Sequence, residues 1–528
     1  MAGPAVGGRR AAVRLARRGR GPQPGAGVDR PSAPPVRRAP VDRHRPGSAA
    51  LSGELSVRAP GREARGPALV DGGREVGWRE LVQRVDRTRD TFRRRLDGLT
   101  APVVAVVGGA GPEAVVTLLA LLEDRVSFVL IHPRWTRAER DRAIAMAGAS
   151  VCVESGGALA TVPPTAAAGN PSVERGAGIV FTSGTTGQPR GVVLSREALR
   201  ASAHAHARVV GWRADDRWLL SLPTAHVGGL MIVVRCLHAR RAVVVGGRRA
   251  SGNFDADETL RVIERNRVTL MSVVPTMLAR LLQATRRPPP SLRAVLVGGA
   301  GAPAALMERA RERGWPVLAT YGLTEACSQV ATERPDETPG GVGAPLPGIE
   351  VRIAAPDGSA GTIQVRGDAL FDGYLGAEPG APLERPFDAD GWFDTGDLGA
   401  IGEDGRLRIM GRRSDRIVTG GENVDPAEVE AAVVEWPGAA EACVVGLEDE
   451  EWGERVGAVL VPAAGFEALG GLAGLGRHLG GRLAGFKRPR CWSVVDRLPV
   501  AASGKVDRTA CARLLVESPS TPAGEAGP

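Results

Sequence analysis

Hydrophobic residues fall along this chain in short blocks whose rhythm changes with position. Residues 102–133, PVVAVVGGAGPEAVVTLLALLEDRVSFVLIHP, run as an apolar block, a glycine turn, a longer apolar block and a further apolar block. Near-continuous apolar runs of strand length predict strands buried on both faces, so this stretch is expected to form a strand–helix–strand unit of a parallel sheet. The same texture returns in AVVVGG, in VTLMSVVPTMLARLL and in LRAVLVGGAGAPAALMERARERGWPVLATYG. Upstream, PALVDGGREVGWRELVQRVDRTRDTFRRRL predicts a short strand pair and then a helix. Around 340–410 glycine, aspartate and short alternating runs take over, as in EVRIAAPDGSAGTIQVRG, and an antiparallel subdomain is expected. A smaller α/β unit follows Arg412. The expected organisation is a tail over 1–50, a large α/β domain over 51–411, a small α+β domain over 412–515 and a second tail over 516–528.

Composition sharpens this picture. The chain is 43% hydrophobic and 24% charged, which is globular, and its 528 residues call for two or three domains. The net charge of +9 sits in one place. Residues 1–50 hold eleven arginines and two aspartates, while the remainder balances 57 bases against 57 acids. The body thus lacks the basic field of a nucleic-acid binder, and the Pro/Gly-rich basic leader reads as disordered. No early run is apolar enough for a signal peptide. The best apolar stretch, AVVTLLALL, stops at Glu123, short of the roughly 18 residues that span a membrane. Six scattered cysteines without a C-x-x-C pair indicate neither a disulfide framework nor a zinc site, and a cytoplasmic location is expected. The oligomeric state stays open.

Usage of two residue types is more informative. Of 68 basic residues only Lys487 and Lys505 are lysines, and Tyr321 and Tyr374 are the two tyrosines. A lysine that survives such a drift toward arginine marks a place where a guanidinium does not serve. The stretch FTSGTTGQPRGVV, 181–193, is the clearest candidate for chemistry. It follows an apolar strand. Gly184, Gly187 and Gly191 are expected to let the backbone turn and approach a ligand. Thr182, Ser183, Thr185, Thr186 and the backbone amides offer donors to phosphate oxygens, with charge from Arg190. The spacing is not that of a Walker A loop, because Pro189 stands five residues after Gly184. No G-x-S-x-G occurs, which disfavours a serine hydrolase.

TSGTTGQPRG resembles the phosphate-binding loop of the adenylate-forming superfamily, which unites acyl-CoA synthetases, peptide-synthetase adenylation domains and luciferases. The family usually carries lysine at Arg190. Further segments resemble the family in the same order over roughly 55–515. By that resemblance TYGLTEA places Tyr321 against adenine, Thr324 on phosphate and Glu325 on Mg²⁺. GWFDTGDLG supplies Asp397 for the ribose hydroxyls. GRRSDRI supplies Arg412 for the ribose and then a hinge at Ser414, where the family usually has an acid or lysine. PVAASGKVDR presents the catalytic Lys505. The resemblance also implies that the small domain is mobile, and that its rotation brings up VTGGENVDPAEVE, whose Gly420 and Gly421 let the pantetheine arm of CoA pass. Within that segment Asp425, Pro426 and Glu428 predict a helix start with a cap, a first-turn proline and a capping-box acid. Lys487 is read either as a contact to the CoA phosphates or as part of a solvated face.

The implied reaction uses ATP, Mg²⁺ and CoA with a small-molecule carboxylate, and involves neither nucleic acid nor a membrane span. A carboxylate must attack the α-phosphate, and two unit negative charges 4 Å apart repel by ~4 kcal/mol at an effective dielectric near 20. Lys505, Mg²⁺ on Glu325 and the 182–191 loop are assigned to offset that repulsion. SLPTAHVGGLMIVVRCL resembles the wall of the acyl pocket and puts His226 near the activated carboxyl. His204 and His206 point to different sides of a helix and make no metal pair. SVVPTMLARLL, LRAVLVGGAGAP and WPVLATYGLTEACSQVATERP are most similar to the o-succinylbenzoate–CoA ligases of menaquinone biosynthesis. Ser328 and Gln329 then either bond an aryl keto acid or satisfy a turn. Other readings are a fatty or aryl acyl-CoA synthetase of different specificity, an adenylation enzyme loading a carrier protein, and a nucleotide-binding regulator without turnover. Retention of Lys505 and Glu325 argues against the last.

Overall fold

The computed structural model describes residues 55–58, 66–162, 169–182, 189–247, 254–355, 360–419, 422–449, 452–501 and 505–518. The described residues form one compact unit. Two large sheets build its body. The first centres on Val103–Val107, flanked in parallel by Ser127–Ile131 and Ala149–Val153, with Gly178–Thr182 parallel beyond Ser127–Ile131. Its edges are antiparallel: Arg190–Leu194 returns along Gly178–Thr182, and Gly373–Tyr374 lies against Arg190–Leu194. The second sheet has a parallel centre of Ala242–Val245, Arg217–Leu219, Leu270–Val273, Ala294–Val297 and Val317–Tyr321.

The apolar blocks explain what lies between them. The helix Pro112–Glu123 buries nine consecutive residues, Ala114 to Leu122. Val227–Ala239 buries every residue from Gly229 onward. Helices apolar all round belong in an interior, and one core cluster joins both of them to strands of both sheets. The run AVVTLLALL is therefore a core helix. Among the described residues no helix is long and apolar enough to cross a membrane. By contrast Trp78–Leu96 buries only Leu81, Val85, Phe92 and Leu96, one stripe of an amphipathic helix.

The region expected to be antiparallel is a four-stranded meander of Ile349–Ala354, Gly361–Gly367, Phe393–Ile401 and Leu407–Arg412. After Arg412 a short 3-10 turn, Arg413–Asp415, leads to a further sheet. There Gly453–Pro462 pairs with Ala439–Asp449, Ile417–Thr419 and Cys491–Val494. This part has apolar clusters of its own, around Val444 and Leu460 on one face and Cys443 and Val459 on the other. The last helix, Arg508–Glu517, extends two residues past the expected start of the tail.

Candidate active site

Strand ends set the site. In the parallel sheets the carboxyl ends of Gly178–Thr182 and Val317–Tyr321 carry Thr182 and Tyr321, the position where open α/β sheets bind ligands. Thr182 pairs with Arg190 across the strand register, so the loop between them leaves and returns at one point. Ser183, Gly184, Thr185, Thr186 and Gly187 lie outside the described residues, as do Gly420 and Gly421. Gly191 differs from expectation. A Cβ there would come 2.6 Å from the Leu375 side chain, so packing already calls for glycine at this position.

Arg190 is held twice. Its guanidinium lies 3.5 Å from the centre of the Tyr374 ring, and its Nη2 is 2.7 Å from the Glu384 carboxylate. The Tyr374 hydroxyl donates to Glu325 Oε1 at 2.9 Å. Burial pushes that phenol up, and Glu325 adds to the effect, so it stays a donor. Glu325 itself lies in the turn Thr324–Ala326, which continues from Val317–Tyr321 through Gly322. A Cβ on Gly322 would fall 1.4 Å from the Ser328 carbonyl, so only glycine lets this turn close. The Phe371 amide donates to the Glu325 carbonyl at 2.8 Å and anchors the turn.

A second cluster stands beside the first. The Tyr321 hydroxyl donates to Asp397 Oδ2 at 2.7 Å, and Arg412 Nε donates to Asp397 Oδ1 at 2.8 Å. Asp397 and Arg412 face each other across the strand register. Asp397 is 7% exposed and Tyr321 8%. Burial and the nearby carboxylate push the Tyr321 phenol up. Burial works against the charge on Arg412, yet Asp397 holds that guanidinium above its ordinary value. Each Asp397 oxygen accepts one protein donor and keeps a second acceptor direction, the capacity a vicinal diol needs.

Lys505 reaches this place from the far end of the chain. Val500 bridges Val506 and the Ala501 amide donates to the Lys505 carbonyl at 2.8 Å, so Lys505 sits in a short antiparallel pairing with 500–501. Asp507 then caps Arg508–Glu517 by accepting from the Ala510 amide at 2.9 Å. Lys505 is exposed, and its ammonium lies in the field of Arg412, Asp397 and Glu325. Surrounding protein and then Arg412 draw its pKa below the ordinary lysine value, against the pull of Asp397 and Glu325.

These groups fit magnesium carried on a nucleotide. Among the described residues no three His, Cys, Asp or Glu side chains form a metal cluster. Mg²⁺ characteristically takes one or two carboxylates together with substrate phosphates, and Glu325 with one oxygen not bonded by Tyr374 matches that donor set.

Other sequence-derived assignments fall differently. His226 is the N-terminal residue before Val227–Ala239, and its ring centre lies 5.0 Å from that of His132. His132 follows the strand Ser127–Ile131, and Trp135 beyond it packs edge-on against Phe181 at 6.0 Å. His132 and Trp135 were not anticipated, and their signal is IHPRW directly after an apolar strand. Gln329 is taken by the protein: its Oε1 accepts from His206 Nδ1 at 2.9 Å, its Nε2 donates to Thr332 Oγ1 at 2.7 Å, and it is 2% exposed. Its side chain is committed to the interior. Ser328 takes a left-handed φ of 92° where its carbonyl closes on Gly322. Asp425 caps Pro426–Val434 by accepting from the Ala427 amide at 2.9 Å. The capping box is absent there, because the Glu428 carboxylate turns instead to Lys487 Nζ at 2.7 and 2.8 Å. Ser414 lies in the turn Arg413–Asp415, and Asp415 is 3.6 Å from Arg508, which also holds Glu430 at 2.8 Å.

Comparison with known proteins identifies the scaffold. The family model described as AMP-binding enzyme matches residues 57–375, and the AMP-binding enzyme C-terminal domain matches 428–505. A 2-succinylbenzoate–CoA ligase of Bacillus licheniformis is 40% identical over 357 residues, 66% of this chain and 72% of the relative. One from Bacillus subtilis is 40% identical over 342 residues, 62% of this chain and 67% of the relative. The solved o-succinylbenzoate CoA synthetase of Bacillus subtilis with its acyl-adenylate intermediate superposes with a TM-score of 0.73 at 31% identity, covering 86% of this chain and 96% of that one. ATP-bound MatB from Rhodopseudomonas palustris superposes at 0.75 with 27% identity, covering 87% and 98%.

Proposed function

The chain belongs to the AMP-binding enzyme family, and we propose that it joins 2-succinylbenzoate to coenzyme A through an acyl-adenylate, at the expense of ATP. The observation that carries the reaction is the pair of hydrogen-bonded clusters, Tyr321 and Arg412 on Asp397 and Tyr374 on Glu325, drawn from distant parts of the chain with Lys505 in their electrostatic field. The substrate rests on the curated 2-succinylbenzoate–CoA ligases at 40% identity and on the solved synthetase holding the succinylbenzoyl adenylate.

In the first step a carboxylate oxygen of the acid bonds to the α-phosphorus, and the bond to the bridging oxygen breaks to release pyrophosphate. Lys505 supplies a compact positive charge that touches nucleophile and phosphate together, and Arg190 offsets charge at the phosphate loop. Bound Mg²⁺ adds Lewis-acid stabilisation of the phosphate oxygens. Tyr321 packs against adenine, Asp397 accepts the ribose hydroxyls, Arg412 steadies Asp397, and Thr324 bonds phosphate. His226, with His132 beside it, faces the activated carboxyl.

In the second step the thiolate of CoA bonds to the acyl carbon and AMP leaves. Lys505 is then in the way. The small domain, 412 onward, turns about Arg413–Asp415, withdraws Lys505 and brings up 418–430. Lys487, Arg488 and Arg490 form a basic run for the phosphates of CoA, with Lys487 exchanging Glu428 for phosphate. A cytoplasmic location fits the six free cysteines. The fit to MatB at a higher TM-score than to the succinylbenzoate enzyme means that architecture alone does not choose the acid. The test is pyrophosphate release over a panel of acids, with and without CoA. 2-Succinylbenzoate should give the highest kcat/KM and a CoA thioester. A preference for a fatty acid or another aryl acid would reassign the substrate, and no release with any acid would end the reading.

A further inference from the structure

We propose that Tyr374 is a positioning residue of the adenylation site, fixing the Glu325 carboxylate for the metal and tying it to Arg190 of the phosphate loop. This rests on the adenylation reading above.

The residue is held on every side. Its short strand pairs with Arg190–Leu194, placing Tyr374 opposite Val192. Its amide and carbonyl exchange hydrogen bonds with Glu384, both 2.9 Å. Glu384 is also the ion-pair partner of Arg190. Arg190, Glu384 and Tyr374 therefore form a closed ring of contacts: carboxylate to guanidinium, backbone to backbone, guanidinium to aromatic face. The phenol ring is 6% exposed and meets Phe371 edge-on at 4.9 Å. Phenylalanine would satisfy that packing. The chain has nine phenylalanines and two tyrosines, and it keeps tyrosine here, where a hydroxyl meets Glu325 Oε1 at 2.9 Å.

The chemistry follows from the placement. A cation over the ring face draws electron density from the phenol and strengthens its O–H as a donor. One bond to Oε1 fixes carboxylate rotation and leaves Oε2 and the second Oε1 direction for a cation. A change in Arg190 as it meets phosphate is then felt one ring away at the metal ligand. Anion site and cation ligand are in this way a single unit.

The experiment uses the full-length protein with Tyr374→Phe. ATP binding is measured by calorimetry without acid, so no turnover occurs, at increasing Mg²⁺. In the parent Mg²⁺ should tighten ATP binding. In Tyr374→Phe that gain should fall about tenfold, the scale of one hydrogen bond to a charged group, a larger change than any in ATP affinity without Mg²⁺. Glu325→Gln should lose the same gain, and adding Tyr374→Phe to it should cost nothing more, because the hydroxyl acts through Glu325. An unchanged Mg²⁺ response in Tyr374→Phe, or additive losses in the double variant, would overturn the proposal. A destabilised Tyr374→Phe leaves the additivity comparison as the deciding result. A parent that binds ATP but releases no pyrophosphate with any acid would refute the adenylation reading instead.

Discussion

Asp397 and Lys505 lie within one electrostatic neighbourhood, yet they are held in opposite ways. Asp397 sits mid-strand, is 7% exposed, and has a protein donor on each oxygen. Lys505 sits in a short antiparallel pairing near the far end of the chain and is exposed. Fixed partners suit a group that must hold the nucleotide through both half-reactions. A loop suits a group that must arrive for one and depart for the other. On the proposed mechanism, the difference in anchoring separates the group that binds from the group that switches.

The comparison is broken most severely at the lysine. Lys505→Arg keeps the charge but forks and enlarges it, and adenylation should fall by about two orders of magnitude. Near-normal turnover would mean that survival of lysine in an arginine-rich chain has no chemical cause here. Asp397→Asn should raise the KM for ATP by roughly 30-fold through loss of charge-assisted bonds, with both half-reactions affected alike. A loss confined to one half would remove Asp397 from the fixed set.

The pH profile sharpens the contrast further. The Lys505 ammonium is drawn below its ordinary value of 10.5, and the protonated amine is the useful form. Adenylation should therefore decline as pH rises at values below 10.5, while thioester formation from supplied acyl-adenylate lacks this alkaline limb. Identical profiles for the two halves would count against the assignment. The smallest effect is expected at the turn. Asp415 and Arg508 are 3.6 Å apart with over a third of each side chain exposed, so Asp415→Asn should cost under about 1 kcal/mol of stability while shifting the ratio of the two half-reaction rates. Chemical denaturation and the two separate assays check this.

What was legible in the sequence, and what was not, follows from range. The parallel strands and the all-round apolar helices announce themselves because burial on every face leaves no polar positions, as in Ala114 to Leu122. The meander over 349–412 was readable from short alternating runs. The strand leading into the 182–191 loop was readable from the apolar run Ile179 to Phe181. Contacts across long intervals left no local trace. Tyr374 and Glu325 are 49 positions apart, and Arg190 and Glu384 are 194 apart. Nothing near Tyr374 advertises its role except the rarity of tyrosine. The readings that differ from expectation or stood open between two roles share that cause. Gly191 yields to Leu375, Gln329 to His206, and the Glu428 carboxylate to Lys487, each a distant residue that outcompetes a plausible local function.

One measurement bears most directly on the idea of a travelling charge. In Lys505→Ala, acyl-adenylate formation and the transfer of separately supplied acyl-adenylate to CoA are followed as two single-turnover rates. The first should drop by about a thousandfold, the scale of losing a central electrostatic group from a preorganised site, and the second should match the parent. Equal losses in both rates would contradict the account.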